Sequence, residues 1–283
     1  MQVIKRRKWF YALSLIVIIP GIISLMLQGL NLGIDFTGGS ITHIKLPSQV
    51  TSEDVRATLS KHGLDADVQK SGDEYYLRTR ELTQEETDAL MSSLKEDFSE
   101  VEFMSAESVG ATIGGELTRN ALLAISIATV LMLAYISFRF EWTFGVASVL
   151  GIIHNVLVVL GAFSIFQWEI SSAFIAAILT VIGYSINDTI VIFDRIRENM
   201  KGSRKENYEE LVNRSAGQTL NRSINTVLTS VFPLIALLIL GGSTIKLFVL
   251  AMLIGFITGA YSSICIASSL WYDIKNQKAR QAA

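Results

Sequence analysis

The chain has 283 residues, half of them hydrophobic, a mean hydropathy of +0.42 and a formal charge of −2. Its charges are segregated between long apolar runs, a pattern that excludes an all-soluble fold. The near-neutral balance gives no footing for a nucleic-acid partner, and Cys265, the sole cysteine, excludes an intrachain disulfide.

In chain order, the first apolar run is residues 9–28. It follows Lys5-Arg6-Arg7-Lys8. The run is too long for a typical signal-peptide core and no small-x-small cleavage site follows, so it reads as a retained signal anchor. Domain organisation begins with this unit: residues 1–30 form a cytoplasmic N-terminus and first transmembrane helix.

Residues 31–119 hold most of the acidic residues and read as a separate extracytoplasmic domain with its junctions. Residues 40–46 alternate as a strand does. Thr51-Ser52-Glu53-Asp54 resembles a capping box opening a helix to about His62. Residues 67–70 and 75–80 read as a hairpin around Ser71-Gly72-Asp73. Thr83-Gln84-Glu85-Glu86 opens a second helix to about Phe98, and residues 101–106 form a last strand. The order β-α-β-β-α-β is that of a ferredoxin-like α+β domain, whose sheet keeps one face for a partner. Two glycine-rich stretches flank it: GIDFTGG (residues 33–39, with Gly33, Asp35, Gly38 and Gly39) and VGATIGGEL (residues 109–117, with Gly110 and Gly114). Glycine permits positive φ and close backbone approach, so these are junction turns or a hinge; spacing alone does not separate the two. His43 and His62 have no second ligand at metal spacing, and the sequence calls for no metal and no cofactor.

The remaining runs are residues 120–138, 143–166, 170–193, 223–240 and 247–271. They complete a six-span α-helical membrane protein whose residues 120–283 form a five-helix bundle. Between the fourth and fifth runs, residues 194–220 read as a charged cytoplasmic loop lying on the membrane surface as an amphipathic helix. Basic residues concentrate at the N-terminus, at Arg139, in this loop and in the tail, which places both termini in the cytoplasm.

Ionisable residues inside spans cost about 2.5–3.5 kcal/mol each on the insertion scale and mark functional sites. Here they are His154, Asp188 and Arg222. Asp188 lies about 7.5 Å inside the cytoplasmic end at 1.5 Å per residue. Tyr184 and Ser185 share its face, and Asn187 and Thr189 flank it. Arg222, Asn225, Thr226 and Thr229 make a polar stripe at helical spacing. The two stripes are expected to face each other, away from lipid, with Asp188 and Arg222 as a proton-transfer pair linked directly or through water. Arg222 could instead snorkel to the headgroups.

Gly255-x-x-x-Gly259 and Ala173, Ala176 and Ala177 permit close helix contact, and Pro20 and Pro233 are candidate kinks. There is no Gly-x-x-x-x-Gly-Lys-Ser/Thr stretch for a nucleotide. A second aspartate for an intramembrane aspartyl protease is also missing from the spans, so no enzymatic centre is expected.

GIDFTGG, VGATIGGEL, GYSINDTIVIFDRIREN (residues 183–199) and TLNRSINT (residues 219–226), in that order, resemble the SecD/SecF family of protein-export membrane proteins. That family is related to the resistance-nodulation-division transporters. The resemblance implies a bacterial cell-membrane protein that works with SecD beside the SecYEG channel. There it would use the proton motive force to help complete export of a translocating polypeptide after the ATP-driven step of SecA. It matches the family's intramembrane acid to Asp188 and its arginine to Arg222. The chain departs from the family's pattern at Ala111, where proline is frequent, and at Asn155, where His-Asp is frequent. Asn155 cannot carry a proton, which concentrates the case on Asp188. A wider proton-coupled transporter subunit and a passive scaffold for the translocon are the alternatives.

Overall fold

The computed structural model describes residues 2–47, 49–98, 100–202 and 207–281. It divides into two units, one of Met1–Asn31 with Leu123–Ala283 and one of Leu32–Leu122. Arg204 and Lys205 of the expected cytoplasmic loop, and the last two residues of the tail, lie outside the described residues.

The smaller unit begins with a one-turn helix, α2 (Ile34–Thr37). It continues as β1 (Gly39–Lys45), α3 (Ser52–Lys61), β2 (Asp67–Ser71), β3 (Glu74–Thr79), α4 (Gln84–Asp97) and β4 (Glu102–Val109). The sheet is antiparallel with order β2-β3-β1-β4, as the ferredoxin-like reading requires. Both capping boxes form: Asp54 and Glu86 each bond back to the threonine that caps their helix. Each box satisfies two helix-end groups at once. Ile44, Leu46, Val55, Leu59, Val68, Tyr75, Leu77, Leu90 and Leu94 make the core between the sheet and its two helices. The helices do not extend over β4, which is exposed along nearly its whole length, Phe103 and Met104 included.

The two glycine stretches meet inside this unit. Gly38 and Gly39 have φ of 72° and 128°, values that side chains rarely adopt. A Cβ on Gly38 would lie 2.9 Å from Ala111 Cα, and one on Gly39 would lie 2.7 Å from the Thr79 carbonyl oxygen. A Cβ on Gly114 would lie 3.0 Å from the Phe36 carbonyl oxygen. Gly33 caps α2, whose first turn carries Asp35, and Gly110 lies against the Glu81 carboxylate. The two stretches are therefore held in tight backbone contact, with Gly38 as the turn residue, Gly39 opening β1 and Gly114 in the first turn of the helix that follows β4.

The larger unit holds α1 (Arg7–Leu27), the rest of α5 (Ala111–Arg139), α6 (Trp142–Ile165), α7 (Ser172–Gly202), α8 (Tyr208–Leu240) and α9 (Ser243–Tyr261). A π-turn (Ser262–Ala267) follows, and then α10 (Ser268–Gln281). Among the described residues, six helical stretches are long and apolar enough to span a membrane. Small residues set the close contacts. Gly21 of α1 faces Gly161 of α6, where a Cβ would come within 2.7 Å of the opposing backbone. Gly255 of α9 packs on Val181 of α7, and Gly259 on Ser185. Ala177 is buried, whereas Ala173 and Ala176 are exposed. Trp271 of α10 stacks on Phe144 of α6 with ring centroids 4.8 Å apart.

Residues 194–220 differ from the expectation. Among the described residues they form no separate surface helix: α7 runs on to Gly202 and α8 starts at Tyr208, well before the apolar run at residues 223–240. The cause is continuity of the apolar faces, since Ile196, Leu211, Val212 and Ala216 stay buried beyond the spans. Asp194 is half-buried and 3.8 Å from Arg139.

The smaller unit should fold alone, because its core closes on itself. Residues 32–122 expressed separately are expected to give a mixed α/β circular-dichroism spectrum; a helical or disordered spectrum contradicts this. Leu77→Ala should cost about 2–5 kcal/mol. The hydrogen bond from Arg80 and that from the Thr83 backbone hold the Glu86 carboxyl well below its ordinary value, at about 2. A depressed carboxyl contributes stability above its unfolded value and loses it as pH falls through the folded one. Stability should therefore drop between the ordinary glutamate range of about 4.5 and about 2, with a shallower acid slope in Glu86→Gln, read by urea unfolding across pH.

Candidate functional site in the helical unit

Asp188 sits on the inner face of α7 and is 7% exposed. Its Oδ1 accepts a hydrogen bond from Ser223 Oγ of α8 at 2.6 Å. Its Oδ2 is buried and has no hydrogen-bond partner among the described residues. A buried carboxyl with one oxygen satisfied and the other open is expensive to keep. The open oxygen is where a proton, or a donor that moves, would be held.

The helices around Asp188 carry a connected set of polar side chains. His154 of α6 is buried; its Nε2 is 2.9 Å from Ser14 Oγ of α1 and its Nδ1 is 3.2 Å from Asn155 Oδ1. Asn155 Nδ2 donates to Ser185 Oγ of α7 at 2.6 Å. The Thr189 hydroxyl donates to the Ser185 carbonyl at 3.0 Å and lies 2.8 Å from Ser263 Oγ in the π-turn. Four elements thus converge on the turn of α7 that bears Asp188.

The polar stripe expected on α8 is turned away from this turn. Arg222, Asn225 and Thr229 are exposed, and Thr226, half-buried, bonds to its own helix at the Arg222 carbonyl. The inward face of α8 carries Ser215, Thr219 and Ser223 instead. One residue of offset is about 100° on a helix, enough to exchange one stripe for the other. Arg222 makes no side-chain hydrogen bond or ion pair among the described residues. It lines a groove of about 440 Å³ between α7 and α8 with Asn187, Asp194, Glu198 and Gln218. Asn187 is exposed on the same side.

Of the expected supporting residues, Ser185, Thr189 and His154 join the buried set; Asn187 and Asn225 do not. Sequence reading missed Ser14, Ser223 and Ser263, because single serines in apolar runs are common and carry no charge signal. Asn155, set aside because it cannot carry a proton, is the bridge between His154 and Ser185. Among the described residues no cluster of His, Cys, Asp and Glu could hold a metal.

Comparison with known proteins gives one consistent answer. Residues 89–277 match the model for the protein export membrane protein SecD/SecF, C-terminal region, and residues 23–41 match the SecD/SecF GG motif. The chain is 41% identical to the protein translocase subunit SecF of Sebaldella termitidis, over 98% of this chain and 93% of that one. It is 38% identical to the protein translocase subunit SecDF of Bacillus subtilis, covering 98% of this chain but 38% of that longer one. The crystal structure of SecDF from Thermus thermophilus, described as a translocon-associated membrane protein, superposes with a TM-score of 0.92 at 39% identity. That superposition takes in 98% of this chain and 39% of the longer one.

Removing the Ser223 hydroxyl strips Asp188 of its one side-chain donor among the described residues. Ser223→Ala should therefore destabilise the ionised carboxylate by about 1.5–3 kcal/mol, the range for a hydrogen bond to a charged group. The expected readout is a displaced pH dependence of any activity carried by Asp188, at unchanged expression. An unaltered pH profile contradicts the role given to Ser223.

Proposed function

Because the chain belongs to the SecD/SecF family of protein-export membrane proteins, we propose that it is the partner of a SecD-type subunit in a proton-driven export step. It acts beside the SecYEG channel, after the ATP-driven push by SecA, and it is no enzyme. The observation that carries this reading is the Asp188 carboxyl, buried in the bundle with one oxygen held by Ser223 and the other open. Proton uptake there removes a charge from the bundle, and release restores it. A charge crossing 100 mV is worth about 2.3 kcal/mol, enough to bias a packing equilibrium.

The uncovered side of α7 and α8 supports a protein partner. Ala173, Ala176, Thr180, Gly183 and Asn187 form a small and polar stripe on α7; Gln218, Arg222, Asn225 and Thr229 form one on α8. Elsewhere the exposed side chains of the spans are mainly apolar, among them Leu13, Ile16, Val130 and Leu131, with Ser126 and Ser137 as small polar exceptions on α5. Polar groups facing hydrocarbon are costly, and small residues let a second helix approach. We assign this side to the SecD-type subunit, which would bring further groups to Arg222 and Asp188. The fused SecDF relatives are single chains long enough to hold both parts. The smaller unit then lies outside the membrane and both termini in the cytoplasm, as the basic residues direct.

Asp188→Asn keeps the shape and one hydrogen-bonding oxygen but cannot ionise. Membrane vesicles with this variant should hold normal amounts of both subunits and release exported precursor without any response to a proton gradient. Asp188→Glu should keep part of the response. A wild-type response from Asp188→Asn would favour the passive scaffold.

A further inference from the structure

The π-turn Ser262–Ala267 is an irregularity with a specific contact. A π-turn accommodates one extra residue in a helix and is frequent at functional sites. Here it lies where α9 passes α7, and all six of its residues are buried. Its Ser263 Oγ donates to the Ser185 carbonyl at 3.2 Å and lies 2.8 Å from the Thr189 hydroxyl. The Ser185 carbonyl thus receives side-chain donors from its own helix and from the π-turn. Extra donors on a helical carbonyl loosen its backbone bond and bend the helix locally. Asp188 lies between Ser185 and Thr189 in sequence, within the turn so gripped.

The carbonyls released by the irregular turn are themselves satisfied: Ser268 Oγ donates to the carbonyls of Ser263 and Ile264 at 2.9 and 2.7 Å. On the far side of the Ser185 side chain, Asn155 donates at 2.6 Å. Gly259, one turn before Ser263, leaves only room for ordinary contact with Ser185. Position, contact and compensation all converge on a single turn of α7.

We propose that Ser263, presented by the π-turn, is a positioning residue for Asp188: it fixes the α7 turn Ser185-Ile186-Asn187-Asp188-Thr189 so that the carboxyl meets the Ser223 hydroxyl. The proposal rests on the reading of Asp188 as the proton-carrying group. It adds α9 and α10 to the parts that set the carboxyl's state. The other titratable groups around this turn are Tyr184 on α7, Arg222 on α8, His154 through Asn155 on α6, Tyr261 on α9 and Cys265 in the π-turn. None of these is changed by the test.

The test is infrared difference spectroscopy of the full chain with its SecD-type partner, reading the protonated carboxyl band that Asp188→Asn removes. Ser263→Ala should move that band to higher frequency, the signature of a weaker hydrogen bond, and should lower the gradient response of export. Ser263→Thr, which keeps the hydroxyl, should return both. Ser262→Ala is the control, because among the described residues the Ser262 side chain bonds only to the Gly259 carbonyl just before it in the chain and its loss should leave the band in place. A Ser263→Ala band at the wild-type position, or one moved equally by Ser262→Ala, overturns the proposal and leaves the role of Asp188 standing. Absence of any band sensitive to Asp188→Asn overturns the underlying reading instead.

Discussion

One constraint governs the helical unit: a carboxyl group inside an apolar bundle must be stabilised in whichever form it takes. Among the described residues, Asp188 meets it with a single neutral donor, Ser223, and leaves its second oxygen open. A full ion pair would hold the carboxylate permanently charged. A carboxyl without any donor would be held permanently neutral. One hydroxyl lies between these limits, and it can act as donor to the carboxylate or acceptor from the acid.

The rest of the bundle keeps that contact in register. Gly255 and Gly259 bring α9 against α7, while Gly21 and Gly161 bring α1 against α6. These approaches allow Ser14, His154, Asn155, Ser185 and Ser263 to link in one hydrogen-bonded chain across α1, α6, α7 and the π-turn. Hydrogen-bonded side chains in such a setting hold one another in place more firmly than isolated pairs do. The exposed polar stripes of α7 and α8 face the other way, on the side proposed above for a second subunit. The bundle thus has a closed polar interior and an unfinished polar exterior.

The smaller unit was legible almost element by element. Threonine with an acid three residues on marked both helix starts, and Ser71-Gly72-Asp73 marked the hairpin, where Gly72 adopts φ of 66°. Strand β4 runs to Val109, beyond the expected end at Ala106, because pairing with β1 continues to Gly39. Its exposure had no sequence signal, since Phe103 and Met104 look like core residues. In the helical unit, number and type of spans were readable from hydropathy, and Asp188 from the cost of its charge. The rotation of α8 was not. Ser223 and Arg222 are neighbours, and only packing against α7 decides which of them points inward. The π-turn was equally hidden, because an extra residue in an apolar run changes neither composition nor length visibly.

The account stands on Asp188 changing charge within the bundle. The direct measurement is a pH titration of the infrared carboxyl band in the full chain with its SecD-type partner, in lipid. The account predicts a protonated carboxyl signal that appears and disappears reversibly with pH and is missing from Asp188→Asn. A carboxyl that stays in one form across the range in which the membrane holds its proton gradient would contradict it.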